Sequence, residues 1–299
     1  MQDKKLDFIV IGAQKCATSW MYYCLSEHPE LSLPLKKQEA GYIGGEMYQN
    51  RGREEWFFKR FISAGSEFSR GDVSVDYLYQ LDAPQDIAPY VNQDEVKFVM
   101  SLRDPVDRLI SSYYWLVRRG KLPDLPLEEG IQPILKQKAG FPDKLDEGLE
   151  EIVRRGCYSE QIDRYVSQYG GDSVFPVLYE NISSDGLSVI QSIYKLLGVK
   201  ESFVPPSIGI KPKKNTYNRF FLKFERLFNN KIGAKISNVA NQTVARFVDS
   251  KPELSDSSRQ KLIELYTPEV QKLRVLFASL PKETSANVSN IDSVWNRYE

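Results

Sequence analysis

Hydrophobic positions along this chain alternate between two spacings. Phe8-Ile9-Val10-Ile11 is an unbroken apolar run rich in β-branched residues, the pattern of a strand covered on both faces of a parallel sheet, and it predicts a strand from Asp7 to Ile11. Gly12-Ala13 then permits a turn. Trp20, Met21 and Leu25 recur at helical spacing behind Thr18 and Ser19, which predicts a helix over 18–26 that ends near His28-Pro29. A short second strand follows at 31–33, and the aromatic segment 54–61 reads as helical. "EVKFVMSLRDP" predicts a third strand over 97–102 and a long helix over 105–119, with Pro105 suited to its first turn. Residues 147–169 read as one helical stretch, "SVFPVLYENI" as a fourth strand and 186–197 as a helix, with helices filling most of the rest to Leu276. Strands separated by helices, without internal repeats, predict βαβ units: an α/β fold with a central parallel sheet flanked by helices, helical insertions and a helical C-terminal part. The expected organisation is a single domain over 1–299, with 121–142, where Pro, Gly and charge rise, as an insertion or lid and 277–299 as a C-terminal tail.

Composition narrows the function. With 299 residues, 41% hydrophobic and 12% aromatic, the chain can bury a large core. Forty basic and forty acidic residues cancel, so no whole-molecule field draws it to nucleic acid or an anionic membrane, and any anion must be met locally. No apolar run is long enough to span a bilayer, and Met1-Gln2-Asp3-Lys4-Lys5 leads into the first strand without signal-peptide features, so the expectation is a soluble, cytoplasmic chain. Cys16, Cys24 and Cys157 are odd in number and lack C-x-x-C spacing, which fits reduced thiols better than a disulfide framework or a zinc site. The sequons at Asn181, Asn241 and Asn287 are short patterns that arise by chance and argue little for secretion.

The loop "GAQKCATS" carries the first candidate chemistry. A strand, a tight loop and a helix N-terminus present backbone N–H groups and the positive end of a helix dipole to one spot, an anion site most often used for phosphate, and Lys15 sits within it. An ordinary strand-to-helix turn with a solvated lysine is the alternative. The spacing is not G-x-x-x-x-G-K-[ST], because Lys15 comes three after Gly12 with no glycine before it. The second candidate is "RDPVDRLISSYYW", in which Arg103 at a strand's end can fork onto a phosphate and Ser111 follows two turns into the helix. A helix turn capped by Asp104 explains the same residues.

Together the two segments resemble the sulfotransferases that use 3′-phosphoadenosine 5′-phosphosulfate, closest to the carbohydrate, heparan-type branch. "GAQKCATSWMYYCLSEHPEL" is similar to that family's 5′-phosphosulfate loop, and the resemblance implies donor contacts from Gln14, Lys15, Cys16, Ala17, Thr18 and Ser19. Arg103, Ser111 and Tyr113 match its 3′-phosphate pattern R-D-P-x-x-R-x-x-S-x-Y. "KPKKNTYNR" falls where the family carries a basic loop that closes over the nucleotide, which implies Lys213, Lys214 and Arg219. In "GCYSEQIDRY", Gln161, Arg164 and Tyr165 read as structural. The resemblance covers roughly 7–220 and implies a P-loop-like domain.

It also implies a base. His28, the chain's single histidine, is accounted for by the family's His-Pro turn, so a carboxylate must serve. Heparan-type enzymes place a Lys-Glu pair after the second strand; here Glu39 stands at that point, although Gln38 replaces the lysine and Lys37 is one place early. "GDVSVDYLY" resembles the next family segment without its lysine, leaving Asp72, Asp76 and Tyr77 as acceptor contacts or secondary bases, with Asp76 the second choice after Glu39 and Lys15 assigned to the leaving oxygen. The implied reaction sulfates a hydroxyl of a carbohydrate, glycan or glycolipid acceptor, yields adenosine 3′,5′-bisphosphate and needs no metal. A small lipid or polyketide alcohol is the alternative acceptor. A P-loop kinase is disfavoured by the lysine spacing, and a non-catalytic nucleotide-binding protein by Lys15 with Glu39.

Overall fold

A computed structural model describes residues 5–34, 43–45, 48, 68–136, 145–210 and 254–298. Two compact units divide the chain: Met1–Arg108 with Cys157–Pro212 and Tyr266–Glu299, and Leu109–Gly156 with Lys213–Leu265.

The first unit is built on five parallel strands: β1 (Phe8–Gly12), β2 (Leu31–Ser32), β3 (Ser69–Val73), β4 (Lys97–Leu102) and β5 (Val174–Leu178), in the order β2-β3-β1-β4-β5. Helix α1 (Thr18–Ser26) follows β1. Every residue of β1 and β5 is buried, as their continuous apolar runs require of strands covered on both faces. One face packs Phe8, Val10, Phe175 and Val177 against Trp20, Met21 and Leu25 of α1 and Ile190, Ile193 and Tyr194 downstream. At another, the Phe98 ring lies 4.9 and 4.7 Å from those of Tyr165 and Tyr169. From β1 the chain goes to β2 and β3 on one side and then crosses to β4 and β5 on the other. That places a topological switch point at the carboxyl end of β1, where open α/β sheets bind ligands.

Strand β3 has no counterpart among the predicted elements, because Ser-Arg-Gly-Asp-Val lacks an apolar run. Its position depends on tertiary fit. Gly71 pairs with Phe8, and a Cβ there would lie 2.1 Å from the Phe8 ring, so only glycine permits the approach. Asp72 is buried, and its carboxylate accepts the Tyr77 hydroxyl at 2.6 Å.

The predicted helical stretch 147–169 is two helices, Glu147–Arg154 and Tyr158–Tyr169, broken at Arg155-Gly156-Cys157. The helix after β5 begins at Tyr179 and runs to Leu196 with non-helical backbone at Asp185, whose carboxylate caps the second half by accepting Ser188 N–H at 3.1 Å. Residues 282–298 form short helices whose Trp295 and Tyr298 are fully buried.

In the second unit, Tyr113 lies on the helix that starts at Pro105 and ends at Arg118, and its hydroxyl donates to Leu125 O at 3.0 Å. Its ring fills the space beside Gly130, where a Cβ would meet the hydroxyl. Glu128 accepts Ser255 N–H at 3.2 Å and the Ser258 hydroxyl; the Ser258 bond, with other hydrogen bonds, holds its pKa below the ordinary glutamate value. No helix among the described residues is long and apolar enough to cross a membrane.

Candidate active site

The loop after β1 is anchored by sheet-like bonds and then reversed by unusual backbone. Ala13 N–H donates to Ser101 O of β4 at 2.8 Å. Lys15 and Ala17 then take left-handed conformations, with φ of 71° and 66°, each costing about 1–3 kcal/mol for a residue with a side chain. Such strain gathers at ligand sites, and alternating backbone of this kind makes anion-binding concavities. The loop delivers the chain to α1 with Ala17 at the N-cap, which offers no capping side chain, and no acidic residue stands in the first turn. A helix start of this type points the positive end of its dipole at the loop. Gln14 and Thr18 are buried, Lys15 and Ala17 half-buried and Ser19 exposed.

Cys16 points the other way. Its thiol is fully buried, donates to Gln14 O at 3.5 Å and lies 3.9 Å from the Tyr158 hydroxyl. Burial, only partly opposed by the nearby charges of Arg108 and Arg103, pushes it up to about 11, so it is a neutral thiol at neutral pH, and its backbone N–H donates to Ala13 O at 3.3 Å. Tyr158 in turn donates to Arg103 O at 2.9 Å. A single buried phenol is therefore bonded to the turn after β4 and packs against the loop after β1.

In that turn the Arg103 guanidinium lies 4.6 Å over the Tyr179 ring, a cation-π contact that restrains it. Asp104 caps the following helix by accepting Asp107 N–H at 3.0 Å, and its own N–H donates to Glu180 Oε1 at 3.1 Å. Burial raises both carboxylates, Asp104 to about 6 with the Asp107 charge adding; hydrogen bonds oppose it at both, with the Arg297 charge at Asp104 and the Arg103 charge at Glu180. Arg108, the second arginine of the R-D-P-x-x-R pattern, is fully buried.

On the other side of β1, Asp76 opens the short helix Asp76–Tyr79, half-buried, with its N–H 3.4 Å from Ser74 Oγ. Asp72 is raised to about 6 by burial, offset by hydrogen bonds from Tyr77 and the backbone. The Tyr77 hydroxyl also accepts Ile43 N–H at 2.9 Å. Arg164 donates to Leu78 O at 3.0 Å and Tyr165 to Tyr77 O at 2.7 Å, the structural work expected of them. His28 accepts Glu30 N–H at Nδ1, which leaves the proton on Nε2 to donate to Lys200 O at 3.1 Å, between the rings of Tyr194 and Phe203. It is a packed core histidine.

Lys15, Thr18 and Arg103 thus stand on the first unit at the carboxyl ends of β1 and β4. Ser111 is half-buried on the second unit. Tyr113 is there too, buried with its hydroxyl on Leu125 O. Glu39, Lys213, Lys214 and Arg219 lie outside the described residues. Sequence reasoning missed Tyr158 and Glu180, whose partners lie 55 and 142, and 76 and 115, residues away and leave no local pattern.

The sequence model of the family described as "Sulfotransferase domain" matches residues 5–273. The membrane-associated sulfotransferase kil1 of Dictyostelium discoideum is 26% identical over 197 residues, covering 64% of this chain and 38% of that protein. The bifunctional heparan sulfate N-deacetylase/N-sulfotransferase 4 of Mus musculus is also 26% identical, over 64% of this chain and 22% of its own length. The chain therefore spans well under half of either relative. A sulfotransferase structure from Alicyclobacillus acidocaldarius superposes with a TM-score of 0.62 at 23% identity, covering 91% of this chain and 95% of that one, a likeness of fold.

Proposed function

This chain belongs to the sulfotransferase domain family, and from that premise we propose that, as one such domain, it moves the sulfuryl group of 3′-phosphoadenosine 5′-phosphosulfate to a hydroxyl of a carbohydrate or glycan-like acceptor. The observation that supports the donor assignment is the placement of two candidate anion-binding segments at the switch point: the start of α1 beside Lys15, whose N-cap Ala17 has no capping side chain, and Arg103, with Tyr158 against both. A nucleotide with phosphates at both its 5′ and 3′ positions matches such a pair. The heparan sulfate enzyme among the relatives supports a glycan acceptor.

In this reading the acceptor oxygen attacks sulfur in line as the bond from sulfur to the 5′-phosphate oxygen breaks. The acceptor proton passes to a carboxylate, assigned to Glu39 with Asp76 as its rival, and charge growing on the departing oxygen is met by Lys15 and the N–H groups of the α1 start. Adenosine 3′,5′-bisphosphate leaves. Arg103 holds the 3′-phosphate in ground and transition states alike, with Ser111 named for the same group by the family pattern. The test is mass spectrometry of glycan acceptors incubated with protein and donor. A sulfuryl mass increment that depends on the 3′-phosphorylated donor is expected; transfer of phosphate from ATP instead would replace this reading with a kinase.

A further inference from the structure

A phosphate-binding arginine gains nothing from carboxylates at its side, since they compete for its guanidinium and repel the ligand. Three carboxylates stand in or against the turn that carries Arg103: Asp104 and Asp107 within it, and Glu180, which accepts the Asp104 N–H. Asp104 is buried and Glu180 half-buried, and the Arg103 charge acts on Glu180. Each of the three is engaged by one short segment at the far end of the chain. Arg297 Nε lies 2.8 Å from Asp104 Oδ2 and its Nη2 3.2 Å from Asp107 Oδ2, so one guanidinium spans both aspartates. The Tyr298 hydroxyl donates to Asp104 Oδ1 at 3.1 Å. Trp295 Nε1 donates to Glu180 Oε2 at 3.1 Å, while Glu180 Oε1 takes Asp104 N–H. Trp295 and Tyr298 are fully buried, and Arg274 holds the segment from behind, at 2.7 Å to Asp292 and 3.3 Å to Tyr298 O. All of these residues belong to the first unit, and Trp295, Arg297 and Tyr298 lie beyond residues 5–273 that match the family.

We propose that Trp295–Tyr298 is a positioning strut for nucleotide recognition, with Arg297 neutralising Asp104 and Asp107 so that Arg103 is presented to the 3′-phosphate. The inference rests on the assignment of Arg103 made above. Arg297 acts through Arg103 and touches no substrate, and a fork that spans two carboxylates is a task for which lysine is a poor substitute.

The experiment is calorimetry with adenosine 3′,5′-bisphosphate and with adenosine 5′-monophosphate, which lacks the 3′-phosphate. The ratio of the two affinities reads the 3′-phosphate contact alone, at about 10- to 100-fold in the parent for a charged hydrogen bond. Arg297→Gln is expected to lower that ratio several-fold while the monophosphate binds within about twofold of the parent. Arg297→Lys is expected to fall between them, and Arg297→Gln with Asp107→Asn to recover part of the ratio by removing a competing charge. Equal weakening of both nucleotides, or an unchanged ratio, overturns the strut as a device for 3′-phosphate recognition. Should Arg297→Gln not fold, Arg297→Lys decides by the same ratio. A parent that binds both nucleotides equally well refutes the Arg103 assignment itself, an outcome distinct from any result with the variants.

Discussion

The loop after β1 and the turn after β4 follow the carboxyl ends of neighbouring parallel strands and are built on opposite principles. Residues 13–17 present left-handed backbone and the start of a helix, with no acidic side chain in the first turn of α1. Residues 103–107 carry an arginine among carboxylates, and its availability depends on Tyr179, Glu180, Trp295, Arg297 and Tyr298 from elsewhere in the chain. A site made of local backbone is compact and self-sufficient. A site made of side-chain charge in a buried setting needs countercharges and hydrogen-bond partners, and these come from whatever elements the fold brings alongside.

The comparison breaks first at Lys15. If the first loop stabilises charge that grows during reaction, Lys15→Ala should lower kcat by about 100- to 1000-fold with bisphosphate affinity little changed, measured by steady-state kinetics alongside calorimetry. A folded variant with near-normal kcat would make Lys15 a solvated loop residue. In the second region Arg103→Ala should do the reverse, raising the dissociation constant for adenosine 3′,5′-bisphosphate by about 10- to 100-fold, near 1.5–3 kcal/mol, and acting chiefly on donor KM. Bisphosphate binding equal to the parent's would remove Arg103 from the 3′-phosphate.

A carboxylate outside both regions sharpens the contrast. Asp72 has its pKa raised from 3.8 to about 6 in the folded protein, so between those values the folded state binds more protons than the unfolded chain, and its contribution to stability declines as pH rises through that window. Asp72→Asn keeps an acceptor for the Tyr77 hydroxyl, so it should remove the decline, on the order of 1–3 kcal/mol by chemical denaturation at pH 4 and pH 7, and leave bisphosphate affinity alone. A parallel pH profile in the variant would locate the charge penalty elsewhere. The smallest effect is expected at the link between the regions: Tyr158→Phe removes the bond to Arg103 O and should cost about 1 kcal/mol of stability, with donor affinity reduced a few-fold. Unchanged denaturation and binding would mean that the two loops hold their places independently.

Much of the frame was legible in the chain. The helix predicted over 18–26 and the strand predicted over 97–102 have those bounds in the structure, because a β-branched run and a helical apolar stripe are local signals. The strand predicted over 7–11 lies at 8–12. Strand β3 was invisible, since Gly71 and Asp72 are strand residues by virtue of Phe8 and Tyr77, which the fold supplies. The single helix expected over 147–169 is broken because Gly156 and Cys157 leave helical geometry, although the polar and apolar spacing runs on.

For the site, sequence by itself determined the two local motifs: a lysine in a strand-to-helix loop, and an arginine that ends a buried strand before a capped helix. Both are written within a few residues, so spacing alone reveals them. Only the tertiary structure decided that Cys16 turns inward, that Tyr113 fills the space beside Gly130, that Tyr158 packs against both loops, and that Arg297 reaches back 190 residues to Asp107. Those outcomes rest on burial. A buried thiol, phenol or carboxylate must find its partner wherever the packed chain passes, and separation along the sequence places no limit on where that is.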